Sequence, residues 1–135
     1  MATTCKAIQT LEVNLETKPG ALAKIYSAFK EANVNVIASW GYEMGPDEAR
    51  AILYPTDLAK AKSVLTELGL SLTVRKACYA ECEDKVGTYA DLLNKIAVAG
   101  VNITATDAFG VNGRCATVFF CDTKDYSALC RALGC

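Results

Sequence analysis

The sequence predicts an α+β fold: two fused ferredoxin-like βαββαβ units, the second lacking its own last strand, with antiparallel sheets carrying helices on one face. Three observations predict it. Apolar residues switch between a period of 2 and a period of about 3.6 in the order strand, helix, strand, strand, helix. That order occurs twice, and parts of the two copies match residue for residue. The 135 residues are 52% hydrophobic with only three prolines, which supplies a core and argues against disorder.

The first copy opens with Leu11, Val13 and Leu15 alternating with Glu12, Asn14 and Glu16, the pattern of a half-buried strand. A turn around Pro19-Gly20 follows. Leu22, Ile25, Tyr26 and Phe29 then recur at i, i+3, i+4 and i+7, one apolar face of a helix ending near Asn33. Val34, Val36, Ala38, Trp40 and Tyr42 alternate with polar or opposite-facing residues as a second strand, with burial of Trp40 and Tyr42 under the helices expected. Met44-Gly-Pro-Asp47 turns the chain, and Ala49 to Tyr54 return as a third strand. Thr56 or Asp57 can cap a second helix lined by Leu58, Ala61, Leu65 and Leu68, and Gly69 suits the left-handed position after it. Leu70, Leu72 and Val74 complete the unit as a fourth strand.

Lys18-Pro-Gly-Ala-Leu-Ala-Lys-Ile-Tyr26 aligns with Lys85-Val-Gly-Thr-Tyr-Ala-Asp-Leu-Leu93, and Ala32 to Ile37 aligns with Ala99 to Thr104 at the same offset. The chain is therefore a tandem duplication, with residues 1–76 as the first unit and 77–135 as the second. Residues 77–83, 87–100, 101–109, 114–121 and 123–133 supply strand, helix, strand, strand and helix. The second copy then stops, and an uncovered sheet edge invites pairing. The expected occupants are the joining segment Leu70 to Glu83 or a strand from a second subunit, and a homodimer or larger assembly is the expectation.

Composition excludes several functions. Fourteen basic against fifteen acidic side chains leave a formal charge of −1, with no footprint for nucleic acid or anionic lipid. No apolar run approaches the ~20 residues of a membrane span, and the start of the sequence has no secretory pattern, so a cytoplasmic protein is expected. Histidine is absent, which removes the commonest general base and metal ligand. No nucleophile stands beside a base, so no catalytic residue, cofactor or metal is assigned. The odd count of seven cysteines, without C-x-x-C pairs, reads as reduced thiols. Cys78, Ala80 and Cys82 fall on the core positions of Leu11, Val13 and Leu15, and Cys130 falls on that of Leu65. Cys5, Cys121 and Cys135 are left as the candidates for exposed, modifiable sulfur.

The turn Glu16-Thr17-Lys18-Pro19-Gly20-Ala21-Leu22 places a glycine where free backbone N–H groups and the positive end of a helix dipole face outward, a geometry that suits a carboxylate or phosphate. Asn35 and Asn102 open the second strands on the side away from the core, and an amide can serve both the α-carboxylate and the α-ammonium of an amino acid.

This arrangement of strand, Thr17-Lys-Pro-Gly-Ala-Leu-Ala-Lys-Ile25, helix and Asn33-Val-Asn-Val-Ile37 resembles the ACT domain, a small amino-acid-sensing regulatory module often fused to, or working beside, enzymes of amino-acid metabolism. The likeness covers nearly the whole chain. The family's turn usually reads Asp-x-Pro-Gly; copy one keeps Pro19-Gly20 with Thr17 in place of the acid, and copy two keeps Asp84 and Gly87 with Val86 in place of proline. ACT domains pair and hold ligand between this turn of one and the start of the second strand of its neighbour. The resemblance thus implies a ligand site at Thr17, Gly20, Ala21, Leu22 and Asn35, with Asp84, Gly87, Thr88, Tyr89 and Asn102 in copy two, and an amino acid as ligand. It implies a non-catalytic sensor, and an enzyme of amino-acid metabolism as a possible partner. The alternative is a degenerate tandem module that only oligomerises or docks a partner protein, with Trp40 and Tyr42 as its apolar anchor.

Overall fold

In a computed structural model describing residues 3–135, the chain forms β1 (Thr4–Leu15), α1 (Ala21–Glu31), β2 (Val36–Gly45), β3 (Glu48–Pro55), α2 (Leu58–Glu67), β4 (Leu72–Glu83), α3 (Thr88–Val98), β5 (Ile103–Val111), β6 (Arg114–Cys121) and α4 (Tyr126–Leu133). A 3-10 turn over Thr123–Asp125 leads into α4. The strand order is β2-β3-β1-β4-β6-β5. No helix of the described residues is long and apolar enough to cross a membrane.

The chain divides into two compact units, one of Gln9–Arg75 and the other of Lys76–Cys135 together with the described residues up to Ile8. In the first, β1 lies antiparallel to β3 with Leu11 opposite Leu53 and Val13 opposite Ala51. Leu11, Val13 and Leu53 meet Ile25 and Phe29 of α1 and Leu65 of α2, all essentially buried. Helix α2 begins and ends as its sequence directs. The Asp57 carboxylate accepts from the Lys60 N–H at 3.1 Å, and Gly69 takes φ +75° after α2. On the other side of β1, Glu12 accepts from Arg50 of β3 at 2.8 Å and from Arg75 of β4 at 3.1 Å, its own side chain only 12% exposed. Thr10, fully buried, donates its hydroxyl to the Arg75 carbonyl at 2.9 Å.

The second unit repeats the plan, with Cys78 opposite Phe119 and Cys82 opposite Cys115 in the β4–β6 pair. Cys78, Cys82, Leu92, Ile96, Phe119 and Leu129 form its core, so both β4 cysteines occupy the interior positions that the repeat assigns them. The missing fourth strand is where expectation and structure part. Neither the joining segment nor another subunit takes its place: the first half of β1 does, with Ile8 buried and Cys5 against the second core. β1 is twelve residues long because its two halves serve two units, and β4 does the same across Arg75 and Lys76. The alternation of Leu11 to Leu15 marks only the half with a polar outer face; Thr4 to Ile8 alternates too weakly to be read as strand.

Three further expectations are corrected. Tyr42 is 40% exposed and Trp40 half-buried, because β2 is the outermost strand of its unit. Cys121 is buried at 7% exposure, at the end of β6 opposite Ile103, and Cys130 is half-buried. Cys5 and Cys135 are joined in a disulfide rather than both reduced.

Candidate functional site

The two strand-to-helix turns are built alike. Gly20 and Gly87 sit at the N-caps of α1 and α3 with φ +87° and +92°, a left-handed conformation that a side chain disfavours. A Cβ at either would meet nothing within 4 Å, so the glycine is required by the backbone angle and not by crowding. No side chain caps either helix; the first N–H of each, at Ala21 and Thr88, donates to the Lys18 and Lys85 carbonyls at 3.4 and 3.1 Å. Pro19 stands just before the cap. An ion pair repeats as well: Lys18 meets Glu16 at 2.7 Å, and Lys85 meets Glu83 at 2.7 Å. The lysines hold both carboxyls below the usual range, by hydrogen bond first and charge second.

The copies differ in where a further carboxylate comes from. In the first, Thr17, Gly20, Ala21 and Leu22 line an open depression of about 380 Å³ together with Glu43 of β2 and Ala49 of β3. In the second, the turn itself carries the acid. Asp84, whose N–H donates to the Gly113 carbonyl at 3.0 Å, lays its carboxylate against Gly110 of β5. A Cβ on Gly110 would overlap that carboxylate. By the repeat, Glu43 corresponds to Gly110 and Thr17 to Asp84. Each copy therefore presents one carboxylate beside the turn, from the strand in one case and from the turn in the other. Sequence reasoning missed Glu43 and Gly110, although the paired substitutions Thr17/Asp84 and Glu43/Gly110 were visible in the alignment of the copies.

A second depression of about 230 Å³ lies on the other flank of the first turn, between Glu16, Pro19 and Lys24 and the α2–β4 connection at Leu68 and Leu70. In the second unit, the corresponding hollow of about 200 Å³ includes Thr88, Lys85, Asp91 and Lys95. Tyr89 is half-buried rather than presented, its hydroxyl 2.8 Å from the Thr106 hydroxyl and its ring stacked on Phe119 at 6.0 Å. Thr106 in turn donates to the Val118 carbonyl at 2.9 Å.

Asn35 and Asn102 are exposed, and the Asn35 carbonyl accepts from the Thr56 N–H and hydroxyl at 3.0 and 3.2 Å. Within its own unit Asn35 is not part of the depression at the turn. It stands just before β2, whereas Glu43 lies eight residues on, roughly 26 Å along an extended strand.

A family model described as an ACT domain pair matches residues 6–130. The chain belongs to the ACT domain pair family. Solved structures with the ACT pair's fold include a protein of Bacteroides thetaiotaomicron, at TM-score 0.85 and 21% identity over 96% of this chain and 88% of that one. The regulatory subunit of aspartate kinase from Thermus thermophilus, in its ligand-free form, aligns at TM-score 0.74 and 15% identity over 99% of this chain and 95% of its own. That of Thermus flavus aligns at 0.64 and 17% over 99% and 95%. No curated protein matches this ACT pair.

Proposed function

We propose that the chain is a non-catalytic regulatory protein that senses an amino acid at its strand-to-helix turns. One observation carries the reading: in both copies an uncapped helix N-terminus behind a left-handed glycine stands beside a carboxylate, Glu43 in one and Asp84 in the other. Helix N–H groups suit an α-carboxylate, and a nearby side-chain carboxylate suits an α-ammonium. Asn35 and Asn102 join the site from a neighbouring ACT unit, which makes ligand binding and association of units parts of one equilibrium. The assembly is a homodimer or larger, and an enzyme of amino-acid metabolism is the class of partner that such a sensor serves.

The test is a thermal-shift screen of the purified protein against the proteinogenic amino acids, followed by light scattering on any hit. At about 100 Kd of ligand the native state gains about 2.7 kcal/mol, a shift of several degrees at this size. A selective hit supports the sensor, and no hit from a folded protein removes it.

The second reading is a partner-docking module without a small ligand. Its support is the apolar surface of the second unit, where Val86 is fully exposed and Phe109 and Val111 are more than half exposed. It forecasts no stabilisation by any amino acid.

A further inference from the structure

Five of the seven cysteines converge in the second unit. The sulfurs of Cys5, Cys78 and Cys135 all lie within 4.8 Å of one another, and Cys130 Sγ is 3.4 Å from Cys78 Sγ. Cys121 belongs to the same core cluster. These residues come from remote parts of the chain: Cys5 from the strand that completes the sheet, Cys78 from the centre of β4, Cys130 from α4, and Cys135 from just past its end. A disulfide uses two of these sulfurs, and Cys78, Cys121 and Cys130 have no covalent role.

We propose that, with the Cys5–Cys135 bond reduced, Cys5, Cys78, Cys130 and Cys135 form a tetrahedral thiolate site for a zinc-class divalent cation, and that disulfide and metal exclude each other. In a tetrahedral site with Zn–S of about 2.3 Å, neighbouring sulfurs are ~3.8 Å apart. The site asks the Cys5, Cys78 and Cys135 sulfurs, mutually within 4.8 Å, to settle at that spacing, and the Cys130 side chain, already 3.4 Å from Cys78, to turn toward the other two. The burial is graded as such a site requires. Cys78 is fully buried, Cys5 and Cys130 are half-buried and Cys135 is exposed, which leaves a path by which the cation enters. Four thiolates and one dication leave net negative charge, and Tyr126, one helical turn before Cys130, carries a lysine over its ring. Lys76 Nζ lies 5.8 Å over the ring of Tyr126, four residues before Cys130, and the Tyr126 hydroxyl is anchored by donation to the Ala77 carbonyl at 2.9 Å.

The chemistry balances with a trialkylphosphine as reductant. The S–S bond breaks, the phosphine takes oxygen from water to become its oxide, and the two protons of that water go to Cys5 and Cys135. Metal binding then releases the thiol protons to solvent.

Cobalt(II) is the probe, because thiolate ligation gives it charge-transfer and tetrahedral d–d absorption. The phosphine-reduced full chain is expected to take up a single equivalent, to show both features and to release cobalt to added zinc, with circular dichroism confirming the fold. Cys135→Ser and Cys5→Ser each weaken binding at least about tenfold, as loss of a ligand must. Cys82→Ala, in the same core but beside Cys115, retains it, and the oxidised protein takes up none. Because Cys135 is exposed, its serine variant keeps the core intact. A folded, reduced protein that binds no cobalt overturns the proposal, and so does a cobalt spectrum unchanged by both serine variants.

Discussion

At the scale of single residues, the left-handed glycines and the exchanged carboxylates make separable forecasts. Gly20→Ala places a Cβ at φ +87° in open space, so it costs the backbone strain of about 1 kcal/mol, read as a lower urea midpoint. Gly110→Ala acts differently. Its Cβ displaces the Asp84 carboxylate, so stability changes little while affinity at the second copy falls, measured by calorimetry with whichever amino acid stabilises the protein. Asn35→Ala and Asn102→Ala, both exposed, should leave the melting temperature unchanged and weaken binding; unchanged affinity in both would remove them from the site. The glycines themselves were legible because both copies keep them. The partner carboxylate of the first copy was not, because Glu43 reaches the turn only through the return of β2 along the sheet.

At the scale of elements, the shared strands carry the most information. Ile8 is buried in the second unit although it lies in the first strand, so Ile8→Ala should cost about 2–4 kcal/mol, the usual toll for truncating a buried isoleucine. Hydrogen exchange should show protection lost in β4 after Lys76 while β2 and β3 keep theirs. β4 also carries buried thiols. Burial, then Cys115 and Asp84, push the Cys82 thiol up, with Arg114 opposing. A thiol raised in the native state stays protonated while the unfolded chain ionises at about 8.5. Its stabilising contribution is therefore complete below that pH and is lost as the pH rises above it. Between about pH 7 and about pH 10 the urea midpoint of the wild type should fall more steeply than that of Cys82→Ala.

For the whole molecule, the Cys5–Cys135 bond closes a loop with a sequence separation of 130, nearly the entire chain. On the chain-entropy account such a closure is worth about 5 kcal/mol. Cys135→Ser should lose up to that much under oxidising conditions and nothing under reductant, as compared by denaturant titration. The ends are brought together because the first strand completes the unit whose last helix ends the chain. The edge that sequence reasoning left for the joining segment or a second subunit is thus covered by the first half of β1, and any association has to use other surfaces. Light scattering across a range of concentrations measures whether it occurs.

The sequence by itself determined the duplication, the alternation of strands and helices, the start of α2 at Asp57 and its end at Gly69, and the burial of Cys78 and Cys82. Those features follow from local periodicity, capping chemistry and the equivalence of two copies, all of which neighbouring residues encode. Only the tertiary structure decided that the N-terminal strand fills the second unit's vacancy, that the sulfurs of Cys5, Cys78 and Cys135 meet from three distant segments, and that Asp84 lies on Gly110. Each of these is a contact between residues far apart in the chain. Strand pairing and side-chain convergence of that kind depend on register and connection, which no single stretch of sequence records.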